Sequence, residues 1–171
     1  MRIGFRPLTA GDLPLLYEWL QREHVQRWWT DREAYDEVVQ HYLPAIEGSR
    51  PTDLYLILLD DQPAGFIQTY RVSDYPEYRE LVAVEEGGVA GVDLFVAEPE
   101  LTGRGLGSEA LIRFVADVVF SDPEIHACIA DPDAENPASI RAFEKAGFRV
   151  VRRFVDPNDH DRLHALVRVD R

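Results

Sequence analysis

The chain has 171 residues, of which 46% are apolar, 29% charged and 11% aromatic, enough for one buried core and too apolar to stay disordered. Its 31 Asp and Glu against 18 Lys and Arg give a net charge of −13, which argues against nucleic acid and anionic membrane as partners and for a cationic small molecule. A single cysteine, Cys128, excludes an intrachain disulfide, and no apolar run is long enough to span a bilayer.

Residues 3–8 have the composition of a short strand. Leu13, Leu16, Tyr17 and Leu20 then recur at helical spacing, with Pro14 in the first turn and either Thr9 or Asp12 as the cap. Residues 31–46 make a weaker helix ending near Pro44. Residues 54–59 and 65–72 are two extended runs around the turn Asp60-Asp61-Gln62-Pro63, a hairpin. Residues 73–88, with Pro76, Gly87 and Gly88, are expected to form a long irregular loop.

The second half is more regular. Residues 89–96 form a strand, then Gly103-Arg104-Gly105-Leu106-Gly107 leads into a helix with Leu106, Ala110, Phe114 and Val118 on one stripe. Asp122-Pro123 ends that helix, and residues 125–131 make the next strand. Asn136-Pro137 opens a further helix that Gly147 closes. Two last strands, 148–155 and 163–169, flank the turn Asp156-Pro157-Asn158-Asp159. A strand, helix, strand order from 89 to 131 implies one parallel pair, whereas the hairpins demand antiparallel neighbours. The expectation is one α/β domain over residues 1–171, with a mixed, mostly antiparallel twisted sheet flanked by helices.

Gly103, Gly105 and Gly107 alternate between a strand and a helix, so backbone N–H groups there can point outward at the positive end of a helix dipole. That suits a diphosphate. Ser108 stands where a dinucleotide fingerprint needs glycine, and no Gly-Lys-Ser/Thr follows. The alternative is a strand-to-helix turn that needs glycine only for positive φ.

At these residues the sequence resembles the GNAT N-acetyltransferases. Thr102-Gly103-Arg104-Gly105-Leu106-Gly107 is similar to their acyl-CoA diphosphate loop, and Asn136-x-x-Ser139-Ile140-x-x-Phe143-Glu144-Lys145-Ala146-Gly147-Phe148 to their second signature. Leu16-Tyr17-Glu18-Trp19-Leu20, Trp28-Trp29, Tyr42-Leu43-Pro44, Gly91-Val92-Asp93 and Asp122-Pro123-Glu124 resemble, more narrowly, the aminoglycoside 6′-N-acetyltransferases. Thr102 stands where the wider family has Gln or Arg, and Phe143 where many members have a tyrosine that protonates the leaving thiolate.

The resemblance implies a sheet whose parallel pair splays to admit acetyl-CoA, and transfer of its acetyl group to an aminoglycoside amine, the 6′-amine in particular. It implies a donor site at Phe95, Val96, Thr102, Gly103, Arg104, Gly105, Leu106, Gly107, Ser108, Asn136, Ser139 and Phe143. No nucleophilic side chain is needed, because a thioester already carries a good leaving group and the protein mainly has to align reactants. The same fold could instead serve another acceptor (a siderophore hydroxylamine, a polyamine or a protein amine), or bind acyl-CoA without turnover.

Alternation places Gly91, Asp93 and Phe95 on one strand face, so Asp93 is either a general base for the ammonium or a carboxylate that ties down nearby backbone. Asp131, at the carboxyl end of the neighbouring strand, could line the same crevice, or simply begin the turn with Pro132. Trp28, Trp29, Tyr70 and Glu85 complete the expected acceptor site; two adjacent tryptophans on one helix cannot both face the interior. Cys128, mid-strand, is expected to be a buried thiol. His24, His41, His126, His160 and His164 are scattered without ligand spacing, so no metal is assigned. The amino terminus lacks the apolar segment of a secretion signal, so a cytoplasmic monomer or homodimer is expected.

Overall fold

The computed structural model describes residues 1–29 and 34–171. Seven strands form one sheet: β1 (Ile3–Pro7), β2 (Thr52–Leu59), β3 (Gln62–Arg71), β4 (Val89–Val96), β5 (Ala127–Ala130), β6 (Arg149–Asp156) and β7 (Arg162–Asp170), in the order β1-β2-β3-β4-β5-β7-β6. Only β4 and β5 pair in parallel, and all other neighbours are antiparallel. The helices are α1 (Leu13–Leu20), α2 (Glu23–Gln26), α3 (Tyr35–Ile46), α4 (Pro76–Val82), α5 (Leu106–Asp117) and α6 (Pro137–Lys145).

The sheet buries both faces. Leu106, Ala110, Leu111 and Phe114 of α5 pack on Ile57, Ile67 and Val92, joined by Phe143 and Phe148. On the opposite face Leu16, Trp19 and Leu20 of α1 and Val38 and Tyr42 of α3 cover Leu54, Leu56, Phe66 and Phe95. A third cluster on that second face, Val72, Val82, Val89, Ala127, Ile129 and Leu166, lies beneath α4. None of the helices is long and apolar enough to cross a membrane, among the described residues.

Several expectations need correction. Residues 73–88 are not irregular throughout, because they contain α4, which starts on Pro76 and ends at Ala83 in the left-handed region (φ 55°). Proline at the first helical position is a helix signal, since its missing N–H would have had no partner there. The second helix starts at Tyr35; its expected beginning at Asp31 lies outside the described residues. Its end at Ile46, two residues past Pro44, is as expected, and the missing Pro44 N–H costs the one bond it would have made to the Gln40 carbonyl. Asp12 rather than Thr9 is the N-cap residue of α1, but without a side-chain cap bond: its carboxylate turns back to accept from Thr9 N–H (2.8 Å), from the Thr9 hydroxyl (3.0 Å) and from Arg6. The strand expected at 125–131 narrows to β5, because Ile125 N–H bonds back to the Asp122 carbonyl in a turn.

Gly88 is fixed by its surroundings. It has φ +72°, and a Cβ there would lie 2.5 Å from the Glu124 carbonyl oxygen. Gly88→Ala is expected to destabilise by at least about 1 kcal/mol from the left-handed backbone alone, lowering the melting temperature by about 2–4 °C or more; calorimetry checks this.

A splayed strand pair and a carboxylate-lined cavity

The parallel pair holds together over only three registers, Val89↔Ala127, Ala90↔Cys128 and Gly91↔Ile129. Beyond Gly91, β4 runs on to Val96 while β5 stops at Ala130, so the two strands part at the carboxyl end of the pair. Ligands of open α/β sheets bind at such a place.

The glycine turn lies on the connection that follows β4. Gly103 (φ +74°) and Gly105 (φ +83°) occupy the left-handed region, and Gly105 is the residue before the first turn of α5. At Gly103, Gly105 and Gly107 a Cβ would meet nothing within 4 Å, so the outer side of the turn is open among the described residues. The first N–H groups of α5, on Leu106, Gly107 and Ser108, have no helical acceptor and carry the positive end of its dipole. Gly103 and Gly105 thus need glycine for φ, whereas Gly107 lies within α5 at ordinary helical φ, and the turn leaves the first α5 N–H groups without a helical acceptor. Ser108 Oγ donates to Gly105 O (3.1 Å) and Thr102 Oγ1 to Pro99 O (2.6 Å), so these two hydroxyls brace the turn. Arg104 is exposed on it, and Leu106 anchors it in the core. These features fit the diphosphate of an acyl-CoA.

Asn136 caps α6, its Oδ1 accepting from Ser139 N–H at 3.2 Å. Phe143 is buried against Phe148, with ring centroids 5.0 Å apart, and offers an apolar wall with no proton to give. Phe95 is buried under α1, and the Val96 carbonyl meets His24 Nε2 at 3.0 Å.

The acceptor side follows from alternation along β4 and β3. On the face covered by α1, α3 and α4, β4 presents Val89, Gly91, Asp93 and Phe95, and β3 presents Phe66, Gln68 and Tyr70, with Val72 just beyond its end. The outer members of each row belong to the two apolar clusters of that face. Between them the row turns polar, and there a cavity of about 250 Å³ opens, lined by His41, Arg50, Thr52, Gln68, Tyr70, Tyr75, Tyr78 and Asp93.

Gln68 Nε2 donates to Asp93 Oδ2 at 2.9 Å and so orients the carboxylate. Tyr70 packs edge-to-face on Tyr75 (5.3 Å) and Tyr78 (5.8 Å), and its ring lies across the place where a Gly91 Cβ would be. Burial, with Asp93 and Asp131 nearby, holds the Tyr70 phenol well above its usual range, and burial does the same for Tyr78. Both are neutral donors at physiological pH. Cys128 lies fully buried behind the pocket, its thiol pushed up by burial and then by Asp93, as a mid-strand cysteine should be.

Asp131 stands just beyond β5 on the same face, where Tyr78 Oη donates to its Oδ1 at 2.6 Å. Tyr78 in turn lines the cavity together with Asp93. His164, in β7, contacts Asp131 Oδ2 at 3.0 Å and Asp159 Oδ2 at 2.7 Å. Asp131, Asp156 and His164 bring two carboxylate oxygens and a ring nitrogen within 4.8 Å of one another, a gathering that sequence spacing does not foretell.

Three expected acceptor residues, Glu85, Trp28 and Trp29, are not among the residues lining the cavity, and Asp131 reaches it only through Tyr78. Glu85 is exposed and outside the cavity lining, its carbonyl accepting from Arg79, while Tyr78 of α4 lines the cavity. Trp28 and Trp29 follow α2 rather than sharing one helix. Trp29 packs on Phe66 (5.7 Å) and Phe95 (5.2 Å), and Trp28 stacks under the Arg27 guanidinium (4.9 Å); neither is among the cavity's lining residues. His41, Arg50, Thr52 and Gln68 were not singled out from the sequence; Gln68 could have been, as the polar residue two places along from Phe66 on an otherwise apolar face.

Residues 9–155 match the family described as "Acetyltransferase (GNAT) domain". The aminoglycoside N(6′)-acetyltransferase type 1 of Klebsiella pneumoniae is 33% identical over 159 residues, covering 85% of this chain and 73% of that protein. The crystal structure of the aminoglycoside acetyltransferase AAC(6′)-Ib with coenzyme A superposes with a TM-score of 0.88 at 31% identity, over 99% of this chain and 95% of that one. The same enzyme with coenzyme A and kanamycin also gives 0.88, at 30% identity, over 99% and 95%. A lysine N-acyltransferase, MbtK of Mycolicibacterium paratuberculosis, is 27% identical over 95% of this chain and 72% of its own length. The seven-stranded mixed sheet, its single splayed parallel pair and the glycine turn at α5 thus have one common origin: the chain belongs to the GNAT acetyltransferase family and uses acetyl-CoA.

Proposed function

We propose that this protein, acting as one domain over residues 1–171 in the cytoplasm, transfers the acetyl group of acetyl-CoA to the 6′-amine of an aminoglycoside and so confers resistance. The observation that carries this reading is the cavity beside the strand gap, with Asp93 and the Tyr78–Asp131 pair on one face. The relatives named for aminoglycoside N(6′)-acetylation, and the kanamycin complex of AAC(6′)-Ib, support it.

Acetyl-CoA, when bound, supplies an activated acyl carbon with a thiolate as leaving group. The chain supplies the rest. The N–H groups of residues 103–108 hold the diphosphate, and the β4 edge beyond Gly91 lies unpaired with β5, facing the gap. The −13 net charge raises the local concentration of a polycation, and Asp93 and Asp131 receive its ammonium groups. Asp93, fixed by Gln68, takes the proton that must leave the amine before it can attack, directly or through one water. Three phenol rings wall the cavity with apolar faces for the sugar and hydroxyls for its polar groups.

Incubation with acetyl-CoA and kanamycin or tobramycin is expected to release free thiol, with NMR of the product placing the acetyl group on the 6′-nitrogen. Absence of thiol release with every 6′-amino aminoglycoside overturns the reading. A second reading is favoured by Arg50, a cation lining the cavity whose Nε has no hydrogen-bond partner among the described residues. It suits an acceptor carrying a carboxylate beside its amine, and the resemblance to a lysine N-acyltransferase points the same way. A panel of free amino acids and aminoglycosides separates the two.

A further inference from the structure

Both ring nitrogens of His164 face only acceptors. Nδ1 lies 3.0 Å from Asp131 Oδ2 and 2.7 Å from the Asp131 carbonyl, and Nε2 lies 2.7 Å from Asp159 Oδ2. Neither a carboxylate nor a carbonyl can donate, so each nitrogen must carry a hydrogen and the ring is an imidazolium. The ring is 8% exposed, stacked at a tilt on Phe154. Around it are Asp131 after β5, Asp156 at the end of β6, Asp159 in the β6–β7 turn, and Tyr78 of α4 through Asp131. Asp133 is ion-paired with Arg162 (3.4 Å), and the Arg152 guanidinium lies over Phe154.

A cation set among carboxylates is held there by their charge. His164 is that cation. Burial opposes its charge, but the hydrogen bonds to Asp131 and Asp159 outweigh burial and raise its pKa to about 9. The imidazolium therefore persists through neutral pH.

We propose that His164 is a positioning residue of the acceptor pocket: clamped between Asp131 and Asp159, its imidazolium holds the Asp131 carboxylate, together with Tyr78, turned toward the acceptor's ammonium groups. It acts through Asp131, not on the reacting atoms. The proposal rests on the cavity being an amine-acceptor site. Nothing in local sequence signals it, since Asp131 and His164 are 33 residues apart and meet only when β7 inserts beside β5.

The test is His164→Gln, which is neutral and has a single amide to share between the two carboxylates. Acceptor KM is expected to rise about tenfold, the equivalent of one charge-assisted hydrogen bond, while kcat and the KM for acetyl-CoA stay within about twofold. In an Asp131→Asn background the same substitution is expected to add nothing, because its effect runs through Asp131. Additive losses, or a fall in melting temperature with acceptor KM unchanged, overturn the proposal. If His164→Gln does not fold, Asp159→Asn, in the turn, is the second variant, and a smaller selective rise in acceptor KM is expected; no rise counts against the clamp. Nitrogen-15 NMR of the wild-type protein at neutral pH needs no substrate: both His164 nitrogens protonated supports the clamp, a neutral tautomer overturns it. Lack of aminoglycoside turnover by the wild type, by contrast, defeats the acceptor reading and leaves the NMR result to judge the clamp.

Discussion

Asp93→Asn is expected to lower kcat by about two to four orders of magnitude, the usual contribution of a positioned base, with the KM for acetyl-CoA nearly unchanged. The amide keeps the shape of the carboxylate and can still pair with Gln68, so the fold and the strand gap remain. What disappears is the group that accepts the amine's proton. The residual rate of the variant is then expected to climb with pH as more of the acceptor becomes free amine without help. Thiol release measured from pH 6 to 9 reads both effects. Activity equal to wild type would remove Asp93 from the mechanism and leave it a carboxylate that merely ties down Gln68.

Gly91→Ala is expected to have the second largest effect, and on a different parameter. A Cβ at this position would sit 2.4–2.6 Å from the outer atoms of the Tyr70 ring. A tyrosine on an open surface would swing aside at small cost. Here the ring is hemmed by Tyr75 and Tyr78, so moving it disturbs the whole aromatic wall and, through Tyr78, the hydrogen bond to Asp131. Overpacking of this kind costs about 1–3 kcal/mol, and the expected result is an acceptor KM raised roughly ten- to hundredfold, since each 1.36 kcal/mol is a factor of ten. The KM for acetyl-CoA is expected to change little, because the glycine turn at 103–107 belongs to another element. Steady-state kinetics with both substrates varied distinguishes the two; equal rises in both KM values would mean that the strand pair itself had shifted.

The parts of this site that could be read in the sequence are those built from contiguous residues. The glycine turn is one, since three alternating glycines fall where strand alternation gives way to helical spacing. Asp93 is another, because a lone acid in an apolar strand stands out and its face follows from counting by two. The helix α4 was also signalled, by Pro76 at its first position, but the neighbouring glycines and acids read more strongly as loop. The cavity's other walls depend on register. Tyr70 lies beside Gly91 only because β3 and β4 pair in that alignment, and Thr52 joins them from the start of β2. The placing of the tryptophan pair depends on helix length for a related reason: α2 is a single turn, so Trp29 falls onto Phe66 and Phe95 instead of continuing a helical face. The His164 clamp depends on β7 lying between β5 and β6, a sheet order with no local signature.

A crystal structure of the protein with coenzyme A bound tests the central claim most directly. The account predicts the diphosphate on the amide N–H groups of residues 103–108 and the thiol in the gap where β4 and β5 part beyond Gly91, within reach of an amine held by Asp93. Coenzyme A bound with those amides making no contact to phosphate, or with Asp93 walled off from the sulfur, would contradict it.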